Sequence, residues 1–176
     1  MRGLKGVRLV VSNDHEGIQA GVSGKLPGKR QRCVVHFRRN VFSYVPSSSV
    51  AEVAEDLKAV FGVRREKMAR ALAEGLISLY EKCYPKAVSE ARVEDGLTYL
   101  RYLGSHHARM HSTNMLEWLF KEVKRRTSLV RVFPSETSAS TLATAVVLRS
   151  NKEWTLRRYL AMDALEAKPT PQLSRR

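Results

Sequence analysis

Cysteines, acidic residues and long apolar runs are all scarce in this chain. Two cysteines in 176 residues exclude a disulfide framework. The longest aliphatic run, Leu142 to Leu148, is far shorter than the ~20 residues that span a bilayer. We therefore expect a cytoplasmic protein, with no membrane partner, whose Cys33 and Cys83 remain thiols.

Positive charge is what the chain has in excess. It carries 31 Lys and Arg against 17 Asp and Glu, a net charge of +14. Solubility requires less than this, and such a balance favours a polyanionic partner, nucleic acid before an anionic membrane surface. At 43% hydrophobic residues the chain can still build a core.

The first forty residues predict an α/β unit. Residues 7–12 are almost continuously apolar, as in a buried strand, and residues 14–26 suit a helix. Residues 32–37 indicate a second strand or the entry to the next helix. A strand, helix, strand order predicts a parallel crossover, which would place Asn13 and Asp14 at the carboxyl end of a strand, where such sheets carry their sites.

A mainly helical segment follows, at about residues 47–110. Spacings of three and four predict helices over 50–61, 65–84, ended by Pro85, and 86–103. We find no sharp boundary, and predict one domain over 1–166 with this segment as an insertion. A disordered basic tail is predicted over 167–176.

Asn114 is predicted to cap another helix, with a buried stripe of Leu116, Leu119, Phe120 and Val123. Glu117, Lys121 and Lys124 share a different face. Glu117 fits a capping-box pattern that needs no catalysis. The lysines fit equally a solvated face or a phosphate-binding face.

Several side chains could contact DNA. The cationic candidates are Arg38, Arg39, Arg109, Lys121, Lys124, Arg125 and Arg126. Arg109 stands among His106, His107 and His111, which form either a cationic approach to the Asn114 helix or an exposed loop. The aromatic candidates, which could stack on unpaired bases or simply pack in the fold, are Trp118, Trp154, Tyr99, Tyr102 and Tyr159.

Three motifs occur in order: Ser12-Asn13-Asp14-His15-Glu16-Gly17, Cys33-x-x-His36-Phe37-x-Arg39-Asn40, and Ser112-Thr113-Asn114-x-x-Glu117 with the basic run that follows. Together they resemble the C-terminal half of a mutator-type insertion-sequence transposase. The resemblance implies a ribonuclease H-like catalytic domain, here partial, whose Asp, Asp and Glu hold Mg²⁺ or Mn²⁺.

The resemblance also assigns positions. Glu117 matches the third carboxylate and is the expected metal ligand, while Asn13 stands where the family has its second Asp. The first Asp is expected upstream of Met1. Asp14 could substitute for Asn13 only if the strand end bends or shifts by one residue. Cys33, His36 and Asn114 match supporting positions, and a zinc site at Cys33 and His36 is a weaker alternative, since it needs two further ligands.

These observations predict a transposase fragment that is impaired in metal-dependent DNA cleavage and transfer. The alternatives are a non-catalytic DNA-binding remnant that inhibits intact transposase, and a decayed reading frame with no role. An open sheet edge would favour homo-oligomers or association with intact transposase.

Overall fold

The computed structural model describes residues 6–26, 28–156 and 160. It is mostly helical with a small sheet, which is compatible with the α/β class. The chain divides into two compact units, residues 1–115 and 116–176. The predicted tail, 167–176, and Tyr159 lie outside the described residues. No described helix has the length and apolar character needed to cross a membrane.

The first unit opens with the predicted strand, helix, strand order. The elements are strand β1 (Leu9–Ser12), helix α1 (Glu16–Lys25) and strand β2 (Lys29–Arg32). The two strands form a parallel sheet, and α1 connects them. Leu9 pairs with Lys29 and Ser12 with Arg32. The predicted parallel crossover is therefore confirmed, although β2 ends at the residue where we expected it to begin.

Strand β2 contains only polar residues, and tertiary hydrogen bonds rather than apolar contacts hold it in place. Gln31 is fully buried; its Nε2 donates to the carbonyl of Gly96 at 2.7 Å and its Oε1 accepts from the backbone of Tyr99 at 2.8 Å. Every such bond to a buried amide avoids a desolvation cost of about 1–3 kcal/mol. The neighbouring apolar residues instead enter a helix, α2 (Val34–Phe42).

The next helices are α3 (Val50–Gly62), α4 (Glu66–Tyr80) and α5 (Pro85–Ala91). Pro85 occupies the first turn of α5, where its missing N–H costs nothing, so it begins a helix. It does not end α4 as we expected, because α4 has already ended at Tyr80.

The core of the first unit lies where α2 packs on α3 and α5. Phe37 is fully buried and meets Phe61 edge-to-face at 5.4 Å between ring centroids. Leu57 and Val60 are each 1% exposed. Each such side chain contributes roughly 1.5–3 kcal/mol by burial, so the helical segment builds the hydrophobic core together with α2.

Helix α4 buries a face of small residues. Its buried side chains are Ala69, Ala73 and Tyr80, whereas Met68 and Leu79, which belong to the apolar spacing that predicted the helix, are 54% and 62% exposed. Small residues let α3 approach closely, and the larger apolar ones remain at the surface.

The single helix predicted over 86–103 is wrong. After α5 the chain forms a short helix α6 (Val93–Gly96), 3₁₀ turns over Thr98–Arg101 and Gly104–His106, and helix α7 (His107–Met110). The break falls at Arg92, whose φ of 19° and ψ of 56° lie outside the helical range. This irregular path brings Gly96 and Tyr99 to Gln31.

The second unit holds most of α8 (Asn114–Leu129) and all of α9 (Glu136–Thr155). Ser135 caps α9, and its Oγ accepts from the backbone of Ser138 at 3.2 Å. The buried stripe predicted for α8 is wrong: Leu116 and Phe120 are 47% and 62% exposed, and no α8 residue is buried. The described part of this unit is a helix pair, and two helices cannot enclose a complete apolar stripe.

Candidate active site

Asn13 directly follows β1, as predicted. Its Oδ1 is buried, and within the described ranges it has no hydrogen-bond partner; the Oγ of Ser12 is in the same state. Buried polar atoms are paired in the great majority of cases, and an unpaired oxygen costs about 1–3 kcal/mol. An oxygen kept unpaired at a strand end fits a cation ligand, since Mg²⁺ prefers oxygen donors.

Asp14, the next residue, is surrounded by donors. Its Oδ1 accepts from Arg30 Nη2 at 3.1 Å and from the side-chain amide of Gln19. Its Oδ2 lies 3.2 Å from Arg32 Nη1 and 3.0 Å from Arg92 Nη2. The Asp14 side chain is 6% exposed. Three guanidinium groups therefore engage the carboxylate that was considered as a substitute metal ligand.

Arg32 depends on this carboxylate. Its side chain is 1% exposed, and its guanidinium lies 5.3 Å from the ring centroid of Phe37. Burial lowers the pKa of Arg32 below its ordinary range, and the charge of Asp14 opposes that shift. A second acid, Asp95, lies 2.8 Å from Arg30 but is 43% exposed. Asp14 is thus the principal counter-charge of the buried arginine.

Cys33 and His36 form a structural bridge within the first unit. Cys33 is fully buried, and its Sγ accepts from both the backbone N and Oγ1 of Thr113 at 3.3 Å. His36 Nδ1 lies 3.3 Å from the same sulfur. Cys33 thus fixes the residue that precedes Asn114. Within the described part of the first unit, no other Cys or His joins Cys33 and His36 as a metal ligand, so the two further ligands that the alternative zinc site needs do not come from there.

The histidines near Arg109 belong to the fold, so the exposed loop, one of the two alternatives for this segment, is wrong. His106 is 3% exposed, His107 Nε2 lies 2.9 Å from the carbonyl of Tyr102, and His111 Nδ1 lies 3.0 Å from the carbonyl of His107. The His111 carbonyl in turn accepts from the backbone N of Val34 at 2.9 Å. These bonds position the segment that leads into α8.

Asn114 is the first residue of α8, and Glu117 lies in the first turn of that helix. A carboxylate there interacts favourably with the positive end of the helix dipole, whatever else it binds. Glu117 is half-buried and Asn114 is exposed.

The basic run of α8 contains an internal ion-pair network. Glu122 accepts from Arg125 Nε and Nη2, both at 2.8 Å, and from Arg126 Nε at 3.0 Å. These hydrogen bonds lower the pKa of Glu122 to about 2. Lys121 and Lys124 are exposed. The two arginines are thus partly neutralised by Glu122.

The other predicted DNA-binding arginines differ in setting. Arg38 is half-buried, donates from Nη2 to the carbonyl of Ala54 at 3.2 Å, and lies 6.0 Å from the ring centroid of Phe42. Arg39 and Arg109 are exposed. Arg38 therefore has a packing role that Arg39 lacks.

Sequence reasoning missed the residues that support the strand ends. They are Gln31, Arg30, Arg32, Arg92 and Thr113. Arg92 lies 78 positions from Asp14 and carries no local signal.

A sequence model described as transposase, mutator family, matches residues 1–156. The chain belongs to the mutator family of transposases. It is 37% identical over 168 residues to the transposase for insertion sequence element ISRM5 of Rhizobium meliloti, a match that covers 93% of this chain and 42% of that protein. It is 35% identical over 169 residues to the transposase for IS256 in transposon Tn4001 of Staphylococcus aureus, with 92% and 43% covered.

A third relative, the transposase for IS406 of Burkholderia multivorans, is 31% identical over 157 residues, with 87% of this chain and 40% of the relative covered. This mutator-family chain thus spans less than half the length of each of these three relatives. The family match confirms the resemblance that the three motifs carried.

Proposed function

We propose that this chain forms part of a ribonuclease H-like site for DNA transposition, in which Asn13 and Glu117 are metal ligands. The observation that carries the proposal is the buried, unpaired Oδ1 of Asn13 at the carboxyl end of β1. The family match supports the reaction class, because the relatives are named as transposases for insertion sequences.

A bound Mg²⁺ or Mn²⁺ would activate the attacking oxygen and stabilise the leaving oxygen of a phosphodiester. Asn13 offers a neutral oxygen where the family pattern has a carboxylate, so it should hold a divalent cation more weakly. Glu117 supplies a carboxylate. The family pattern requires a further Asp, which we expect from a segment preceding these residues.

We propose that Asp14 stays structural and does not replace the missing charge. Arg30, Arg32 and Arg92 already engage both of its oxygens. Turning Asp14 toward a metal would leave the buried Arg32 without its main counter-charge, which typically costs 3–5 kcal/mol.

DNA is the proposed partner, and the exposed cations are its proposed contacts. Lys121 and Lys124 extend from α8, and Arg39 and Arg109 are exposed in the first unit. Arg125 and Arg126 would reach phosphate in exchange for Glu122. Such contacts bind backbone without reading sequence.

The test measures binding and cleavage separately. Fluorescence anisotropy with a duplex, repeated over a range of NaCl concentrations, should show log affinity falling linearly with log salt. A Lys121→Gln, Lys124→Gln double variant should reduce that slope by about 2. The matched control is Lys67→Gln, Lys82→Gln, which removes the same charge from exposed sites on α4 and just beyond it.

Supercoiled plasmid with Mg²⁺ or Mn²⁺ tests catalysis. We expect no nicking by this chain, because Asn13 weakens the metal site. Metal-dependent nicking that is lost in Glu117→Gln would show an active enzyme and overturn the proposed impairment. A flat salt response in the anisotropy experiment would overturn the DNA partner.

Asn13 also favours a second function, a DNA-binding inhibitor of intact transposase. Without the charge of the second Asp, the chain could occupy DNA and not cut it. Adding the purified chain to an intact mutator-type transposase should then reduce strand transfer, whereas the Lys121→Gln, Lys124→Gln variant should reduce it less.

A further inference from the structure

A cleft of about 400 Å³ lies in the second unit, between α8 and α9. Trp118, Glu122 and Arg126 line it from α8, and Val146, Arg149 and Glu153 line it from α9. Its volume is within the range of small-molecule sites, about 300–1,000 Å³. All of the residues that line this cleft belong to the second unit.

The aromatic wall of the cleft is only partly covered. Trp118 and Trp154 contact each other with ring centroids 6.1 Å apart and planes tilted by 44°. This contact explains part of their burial, as the packing alternative predicted. Trp118 is nevertheless 48% exposed, and it is one of the residues that line the cleft.

Two ion pairs frame the aromatic wall, one on each helix. Arg126 Nε lies 3.0 Å from Glu122, and Arg149 Nε lies 3.3 Å from Glu153. Both arginines are substantially exposed, at 41% and 72% of their side chains. The cleft thus combines an open indole, guanidinium donors and carboxylate acceptors.

We propose that this cleft binds one unpaired nucleobase of single-stranded DNA, a proposal that rests on the proposed DNA-binding function. Trp118 stacks on the base, since an aromatic face accepts any base at about 1–3 kcal/mol. The arginines reach the flanking phosphates, and the carboxylates accept from an exocyclic amino group. Bases that carry an amino group are therefore preferred to thymine.

Tryptophan fluorescence tests the proposal directly, because the chain contains two tryptophans: Trp118 lines the cleft, and Trp154 contacts Trp118. The probe is an eight-residue abasic oligonucleotide with one central adenine, compared with the same oligonucleotide without any base. Both carry the same phosphates. We expect adenine to quench the emission and to raise the affinity roughly tenfold.

Variants assign the effect to the cleft. Trp118→Ala should remove the adenine-dependent gain, and Trp118→Phe should keep most of it. The matched control is Trp154→Phe, which retains Trp118 as the single fluorophore and should still be quenched. Circular dichroism and duplex anisotropy check that each variant keeps its helices and its phosphate contacts.

Equal affinity for the two oligonucleotides, with duplex binding intact, would overturn the cleft proposal and leave the proposed function standing. So would an adenine-dependent gain that survives Trp118→Ala. If the unmodified chain instead showed no salt-dependent binding to duplex DNA, that result would overturn the proposed function on which the cleft proposal rests. The first comparison needs no variant, so a Trp118→Ala chain that fails to fold does not prevent a decision.

Discussion

Thr113 donates twice to Cys33: its backbone N and its Oγ1 both lie 3.3 Å from the buried sulfur. One side chain thereby satisfies two donors from a residue 80 positions away. The segment leading into α8 is fixed by this contact. The Cys33-x-x-His36 motif therefore has a physical role that requires no metal.

Cys33→Ala should destabilise the chain by about 1–3 kcal/mol, because it removes the buried sulfur that accepts from both Thr113 donors. Cys33→Ser should cost less, since an oxygen can still accept from Thr113. Urea denaturation followed by circular dichroism measures both. The control is Cys83→Ser: Cys83 is exposed, so the change should stay within about 0.5 kcal/mol. Equal losses at the two positions would refute the bridge.

Asp14→Asn should be more damaging, at about 3–5 kcal/mol, because it leaves the buried Arg32 without its principal counter-charge. The matched change is Asp95→Asn. Asp95 lies 2.8 Å from Arg30 and is 43% exposed, so its loss should cost at most about 1 kcal/mol. Urea denaturation gives the free energy of unfolding of each variant, and the comparison of Asp14→Asn with Asp95→Asn tests the prediction. Similar small losses would mean that Asp14 is free to take another role.

The Asp14 cluster also shows where sequence reasoning succeeds and where it stops. The apolar run before Asn13 predicted β1, and the parallel crossover placed Asn13 and Asp14 at its carboxyl end, as observed. Periodicity could not locate β2, because Lys29–Arg32 contains no apolar residue. Its strand is held by partners at Gly96 and Tyr99, which no local pattern reveals.

The α8 stripe failed for the opposite reason. Periodicity predicted the helix correctly but assumed a partner surface for Leu116 and Phe120, which are largely exposed. A spacing of three and four identifies which residues share a face, and says nothing about what covers that face. The motif resemblance, by contrast, depends on order and residue identity, and the family match confirmed it.

Asn13→Asp should make stability depend on metal. The buried Oδ1 position has no hydrogen-bond donor near it in the described part of the chain, so a new carboxylate should lower the melting temperature in EDTA. Mn²⁺ should then raise the melting temperature again. At a Mn²⁺ concentration roughly 100 times the dissociation constant, binding adds about 2.7 kcal/mol to the free energy of unfolding. Thermal melts with EDTA and with Mn²⁺ measure both effects. The control is Asn151→Asp, at an exposed position on α9, which should change the melting temperature neither in EDTA nor in Mn²⁺. If the melting temperature of Asn13→Asp were the same in EDTA and in Mn²⁺, that result would argue against a cation site at this strand end.

The Glu122 network gives a pH prediction with a definite sign. Hydrogen bonds from Arg125 and Arg126 lower the pKa of Glu122 from 4.5 to about 2. A carboxylate whose pKa falls on folding stabilises the folded state above its unfolded pKa and loses that contribution as the pH falls through the folded pKa. The stabilisation of α8 should therefore decline between about pH 4.5 and pH 2.

A carbon-detected NMR titration of the Glu122 carboxyl measures the midpoint, and Glu122→Gln should remove this part of the acid sensitivity. High salt should raise the midpoint toward its ordinary value because the pairs are exposed and screened. A midpoint that remains near 4.5 at low salt would show that the two arginines do not hold this carboxylate in solution, and would leave them free for phosphate.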